Sequence, residues 1–198
     1  MRHQHIAGSL LLVTLAGSIT TASAQGLRRT HAIELTMSAG YFQPTGTSGQ
    51  VGSLALTRRP AWAATTILSF NAPNGKITGE LSGGYAAERV RQGTSGSRGT
   101  HMFFGTARVM LGRNPRQSGV SYLVGGGLSV VTRKKSVLDS SVGATDLGGT
   151  LSAMIRIPID GQVGFRIDAQ DLIYNADYGQ GKKMRNDIVM SAGMSIAW

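Results

Sequence analysis

The chain has 198 residues, with 20 Lys and Arg against 10 Asp and Glu, a formal charge of +10. Charged residues make up only 15% and hydrophobic ones 41%, which excludes a disordered chain. There is no Cys, so no disulfide framework supports the core, and no apolar run reaches the roughly 20 residues that a membrane-spanning helix needs.

Arg2, His3 and His5 make a basic start. An apolar run follows over 6–19, centred on Leu10, Leu11, Leu12, Val13 and Leu15, and Ala22-Ser23-Ala24 precedes Gln25. This three-part layout is that of a secretory signal peptide, so 1–24 is expected to be cleaved and 25–198 to form one domain. An exported chain with this charge is expected to meet anionic lipid or glycolipid, and nucleic acid is not an expected partner.

From there on the dominant signal is period-two alternation, in eight segments. The first, 32–42, puts Ile33, Leu35, Met37, Ala39 and Tyr41 on one face. The second, 61–70, does so with Trp62, Ala64, Leu68 and Phe70, and the third, 77–90, with Ile77, Leu81 and Tyr85. The fourth, 100–112, aligns Phe103, Ala107, Val109 and Leu111, and the fifth, 120–133, aligns Tyr122, Val124, Leu128 and Val130. The sixth, 147–159, aligns Leu151, Ala153, Ile155, Ile157 and Ile159, and the seventh, 163–174, aligns Val163, Phe165, Ile167, Ala169 and Ile173. In the eighth, 187–198, Ile188, Met190, Ala192, Met194, Ile196 and Trp198 share a face. The run 51–57 reads either as part of the first long loop or as an extension of the second strand.

Connections alternate between long (43–60, 91–99, 135–146, 175–186) and short (71–76, 113–119, 160–162). Asn71, Pro73, Asn74 and Gly75, then Asn114 and Pro115, then Asp160-Gly161 mark the short ones as turns. Long loops on one side and short turns on the other is the layout of a transmembrane β-barrel. The expected fold is all-β, an eight-stranded antiparallel up-and-down barrel.

Alternation also fits a soluble barrel, and three features decide against it. Most segments run longer than the 5 or 6 residues usual in water and match the roughly 9–11 needed to cross a bilayer. The second face is rich in Gly, Ser and Thr, as a narrow lumen requires. The apolar-face aromatics sort into two sets, Phe70, Tyr122, Phe165 and Trp198 near the short turns, and Tyr41, Trp62, Tyr85 and Phe103 toward the long loops, as two interfacial girdles would.

The opening Glu34-Leu35-Thr36-Met37-Ser38-Ala39-Gly40-Tyr41-Phe42 and the closing Asp187 to Trp198 resemble the first and last strands of the small OmpA/OmpX/OmpW-type outer-membrane barrels. The resemblance covers the whole of 25–198. It implies residence in the bacterial outer membrane, and an assembly signal in Met194, Ile196 and Trp198 read by the barrel-assembly machinery.

No constellation for catalysis is present, and no cofactor or metal is expected. His31 and His101 are the only histidines after residue 24, they stand apart, and His101 has no His-x-Ser beside it of the kind a lipid A deacylase carries. His101 is in register with Phe103 and is expected to face the outer leaflet. Gly125-Gly126-Gly127 falls inside a strand, where it permits close packing rather than binding phosphate.

Two groups carry the functional expectations. Glu34, Glu80, Arg108, Arg156, Arg166 and Asp168 fall on the inward parity in the short-turn half of the barrel, where isolated charges are costly and pairing is required. Glu80 and Arg108 are expected to pair on adjacent strands, and Arg156 and Arg166 to meet across a hairpin with Asp168 one inward position further on. Arg58, Arg59, Arg89, Arg91, Arg98, Arg133, Lys134, Lys135, Lys182, Lys183 and Arg185 map to the long-loop side, where they suit glycolipid phosphate. The expected role is a monomeric barrel with a structural or surface-interaction function and a plugged lumen. The alternatives are a narrow channel or carrier for small hydrophobic molecules and, after that, a lipid A-modifying enzyme.

Overall fold

The computed structural model describes residues 32–45, 50–51, 54–73, 75–87, 89–92, 97–113, 119–134, 144–177 and 182–198. The segment 1–24, His31 and Lys135 lie outside them. The strands in chain order are β1 (Ile33–Pro44), β2 (Gln50–Val51), β3 (Leu54–Arg59), β4 (Ala61–Asn71), β5 (Ile77–Ala86), β6 (Arg89–Gln92), β7 (Ser97–Gly99), β8 (His101–Arg113), β9 (Ser121–Lys134), β10 (Ala144–Pro158), β11 (Val163–Asp177) and β12 (Lys182–Ala197).

Eight of these close into one antiparallel barrel in the order β1-β12-β11-β10-β9-β8-β5-β4. Closure is made by β1 and β12, with Leu35 opposite Ile196 and Tyr41 opposite Met190. At the base of that seam, the Trp198 amide donates to the Ile33 carbonyl at 3.0 Å. The β10–β11 turn is tight: Val163 and Asp160 exchange backbone bonds at 3.1 Å, and the Asp160 carboxylate accepts the Gly161 amide at 2.7 Å. A closed barrel leaves no ladder edge for another chain to pair with.

The strands cross in one piece because their sequence keeps one face apolar and the other small or polar. The outward row of β10 runs Leu147, Gly149, Leu151, Ala153, Ile155, Ile157, and its inward row carries Thr150, Ser152, Met154 and Arg156. Around the wall Val109, Leu111, Val124, Leu128, Ile167 and Met190 are likewise exposed. A soluble monomer rarely exposes a contiguous belt of large apolar side chains, and lipid is the solvent that such a wall suits.

The structure corrects several boundaries. The third segment does not run unbroken to 90: β5 ends at Ala86, and β6 follows beyond the barrel. β10, β11 and β12 all extend further on the long-loop side than the alternation indicated, so Lys182, Lys183 and Arg185 stand on a strand rather than in a loop. Of the run 51–57, the part in β3 extends the second strand, while β2 pairs back on β3 antiparallel. There β2-β3-β6-β7 forms a separate four-stranded sheet, continuing the β4–β5 hairpin beyond Pro60. Ala63 pairs with Ala86 but Arg59 with Arg89, so the register shifts by one residue between β4 and β3. That is a bulge, placed where Pro60 has no N–H to give the ladder, and it reverses the side-chain parity of β3 relative to β4.

Candidate functional site

The candidate site is the barrel interior and its outer mouth, built in layers. Lowest is the pair Glu34–Arg156, with Nε to Oε1 at 3.1 Å. Arg156 lies opposite Arg166 in the β10–β11 register, as expected, yet its partner is neither Arg166 nor Asp168. It reaches across β11 and β12 to β1. Gly164 and Ser195 line that passage, and a Cβ on Gly164 would stand 2.9 Å from both Arg156 Nε and Ser195 Oγ. A larger residue at 164 would block the reach.

Above this pair, four of the expected residues form a closed ring. Arg108 Nε donates to Glu80 at 2.7 Å and its terminal nitrogens donate to Asp168 at 3.0 and 3.3 Å. Arg166 donates to Glu80 at 2.7 and 3.0 Å and to Asp168 at 2.6 Å. Ser69 donates to Glu80 at 3.0 Å, and Ser152 accepts from Arg108 at 2.8 Å. All four ring residues are less than 5% exposed. Two cations and two anions leave the ring neutral, and each guanidinium meets two carboxylates, the arrangement that makes buried charge tolerable. Gly127, opposite Arg108, belongs to the close packing expected of the glycine run: a Cβ there would lie 2.0 Å from the Ala107 carbonyl oxygen. Beside the ring Met110, Leu123 and Met154 fill the β8–β10 wall.

Next comes a hydroxyl belt: Ser38 with Thr65 at 2.5 Å, Ser82 with Thr106 at 2.6 Å, and Ser129 donating to the Gly149 carbonyl at 3.0 Å. Over it the interior turns apolar, with Phe42, Phe104, Met102, Val131, Leu172, Tyr174 and Val189 packed in one buried cluster. The alternation did not reveal this layer, because it resolves two faces and not the change of chemistry along one of them.

The mouth holds a second ionic network. Arg58 comes down from β3 and grips Asp187 with two bonds, at 2.9 and 2.7 Å, and its guanidinium lies 5.5 Å from the centre of the Phe42 ring. Tyr174 donates its hydroxyl to the same Asp187, and Arg133 both pairs with Asp146 and covers the Tyr174 ring at 5.9 Å. The rim expectation therefore divides. Arg58, Arg133 and Arg185 are buried in the mouth, which corrects the expectation that Arg133 and Arg185 face glycolipid, while Arg59, Lys182 and Lys183 are exposed. Arg91 and Arg98 are strand residues of β6 and β7, and Lys134 ends β9.

On the outer wall His101 faces outward as expected, stacked on Tyr85 with 5.6 Å between ring centres and Nδ1 2.5 Å from the Tyr85 hydroxyl. Met194 and Trp198 are exposed on the same side of β12 as Ile196. Among the described residues no three His, Cys, Asp or Glu side chains gather as metal ligands would.

No protein-family model matches the chain, and no curated protein sequence matches it. Solved structures do. The outer membrane protein OprG from Pseudomonas aeruginosa superposes with a TM-score of 0.57 at 10% identity, over 87% of this chain and 99% of that one. Neisserial surface protein A gives 0.61 at 10% identity, over 84% and 97%. The outer membrane protein AlkL gives 0.53 at 11% identity, over 90% and 94%. The chain has the fold of the small eight-stranded outer-membrane barrels, the class that its sequence resembles.

Proposed function

We propose that the protein resides as a monomer in the bacterial outer membrane, after cleavage of 1–24, and acts through its surface rather than as a conduit. The observation that carries this reading is the closed ring of Glu80, Arg108, Asp168 and Arg166. An eight-stranded barrel has an interior just wide enough for side chains to fill, and here an ionic layer and an apolar layer both cross it. The lumen is thus plugged. The exposed cations of the rim meet the phosphate of outer-leaflet glycolipid, and Met194, Ile196 and Trp198 serve recognition by the assembly machinery. Planar-bilayer recording on purified protein tests the plug: no steady current steps are expected, and regular channel openings would replace the plug with a pore. N-terminal sequencing of protein from the outer-membrane fraction is expected to begin at Gln25, and an intact Met1 would contradict export.

A second reading, a carrier of small hydrophobic molecules, is favoured by the apolar layer under the mouth. It requires Arg58 to release Asp187 and admit a ligand. Uptake of a small apolar dye into vesicles holding the protein, faster with Arg58→Ala, would favour it over the plug.

A further inference from the structure

The lumen has a layer of short side chains between two layers of long ones. On each barrel strand one inward position lies just below the level of the apolar cluster. It is Gly40 on β1, Gly84 on β5 and Gln170 on β11, and a Ser or a Thr on every other barrel strand. Below it the interior is spanned by Arg166, which reaches from β11 to Glu80 on β5, and above it by Phe42, Phe104 and Tyr174. Ser and Thr are too short to meet across an interior that larger side chains just fill. Their hydrogen bonds accordingly run along the wall, from Ser38 to Thr65 and Ser191, between Ser82 and Thr106, and from Ser129 to the Gly149 carbonyl. A Cβ on Gly84 would lie 2.1 Å from Phe104 Cζ, so that ring takes the space beside β5, and β11 stands across the lumen from it.

On that far side two polar groups have no partner. Thr150 Oγ1 and Gln170 Nε2 are buried without a hydrogen bond, on residues that are 2% and 4% exposed. Ser152 pairs with Gln170 and Thr150 with Leu172, so the two stand diagonally across the β10–β11 ladder, both on the inward face. A buried donor or acceptor without a partner is strongly unfavourable, and native proteins satisfy nearly all of them.

We infer that this layer is a closed hydrogen-bonding chamber that binds neutral hydroxyl, as a cluster of water or as one small polyol. The Gln170 nitrogen needs an acceptor and Thr150 Oγ1 takes either role, and a hydroxyl serves both. An ion would enter without a counterion. The layer has no charged side chain of its own, and the ring below it is neutral, closed on itself and buried. An apolar molecule would leave both groups unpaired. A buried water takes about 3 polar partners, which Thr150, Gln170 and the neighbouring hydroxyls supply. The plug is then two seals, one ionic and one apolar, with a wet layer between them.

NMR on the isotope-labelled protein, folded in lipid nanodiscs, tests the chamber. In plain buffer the Gln170 side-chain amide is expected to show cross-peaks to water, of the sign that marks long-lived contact. Added glycerol separates the two sources: unchanged water cross-peaks identify a water cluster, and cross-peaks to the glycerol C–H protons identify a polyol. Absence of both kinds would overturn the chamber. Raising NaCl is expected to change nothing, and loss of the cross-peaks with salt would overturn the neutral class in favour of an ion. Stability gives an independent reading. Thr150→Val keeps the shape of the side chain and removes its hydroxyl, and Gln170→Leu removes the carboxamide. With bound hydroxyl as their partner, both changes are expected to lower the urea midpoint of unfolding from vesicles. A higher midpoint in Thr150→Val would mean that its hydroxyl is buried with nothing to bond, and would overturn the inference.

Discussion

Arg108→Ala is expected to lower the stability of the folded barrel by about 3–5 kcal/mol, the usual penalty for removing one partner of a fully buried ionic contact. The substitution leaves Glu80 and Asp168 sharing the single guanidinium of Arg166, so the ring passes from neutral to net negative. It also withdraws the hydrogen bond that Ser152 accepts. Removing Glu80 as well restores neutrality, since Asp168 and Arg166 remain paired at 2.6 Å. The double variant Glu80→Ala/Arg108→Ala is therefore expected to be less destabilised than the sum of the two single variants, by about 0.5–3 kcal/mol of coupling. Equilibrium unfolding in urea from lipid vesicles measures all three. Strict additivity would mean that water screens the cluster and that the ring holds nothing together. Glu34→Ala paired with Arg108→Ala is the control: Glu34 contacts Arg156 and not the ring, so those two changes are expected to add.

The inward placement of the ring residues and the Glu80–Arg108 contact were legible in the sequence, but the contacts of Arg166 with Glu80 and of Arg108 with Asp168 across the lumen were not. Glu80, Arg108, Arg166 and Asp168 each sit inside a strand whose alternation is unbroken on both sides, so parity alone turns them inward, and adjacency of strands joins Glu80 to Arg108. The Glu34–Arg156 contact was not legible. It skips two strands, and only the stagger of the closed barrel and the gap over Gly164 bring those side chains together. The mouth escaped for a different reason. Above the lipid the outward row of β12 turns partly polar, with Lys182 and Asn186 either side of Met184, so the hydropathy contrast between faces fades while backbone pairing continues. The strand therefore outruns its own signature, and alternation, which begins the eighth segment at Asp187, gives no sign that this residue anchors Arg58. Pro60 adds a one-residue register shift that exchanges the roles of Arg58 and Arg59, and no periodicity reports a shift of one.

Ala153→Arg is expected to cost about 2–4 kcal/mol, and Thr145→Arg on the same strand about 0–1 kcal/mol. Both residues are exposed on the outward face of β10, so neither substitution removes a packed side chain from the interior. What separates them is depth. Ala153 stands at the centre of the outward row Leu147, Gly149, Leu151, Ala153, Ile155, Ile157 and Ile159, flanked across the ladder by Val124 and Ala169. An arginine there is surrounded by aliphatic chains at whatever angle it leaves the wall, and the nearest water lies beyond several turns of the pleat in either direction. Thr145 pairs with Thr132, whose hydroxyl is 3.1 Å away, in a row that has already turned polar. An arginine at 145 therefore reaches headgroups by extending its own stem. The difference between the two folding free energies reads the dielectric profile along one strand, with backbone, face and added side chain held constant. Two near-zero values would place the wall in water, and two equal large values would place the hydrocarbon boundary beyond Thr145, shifting the long-loop aromatic girdle from the interface into the bilayer core.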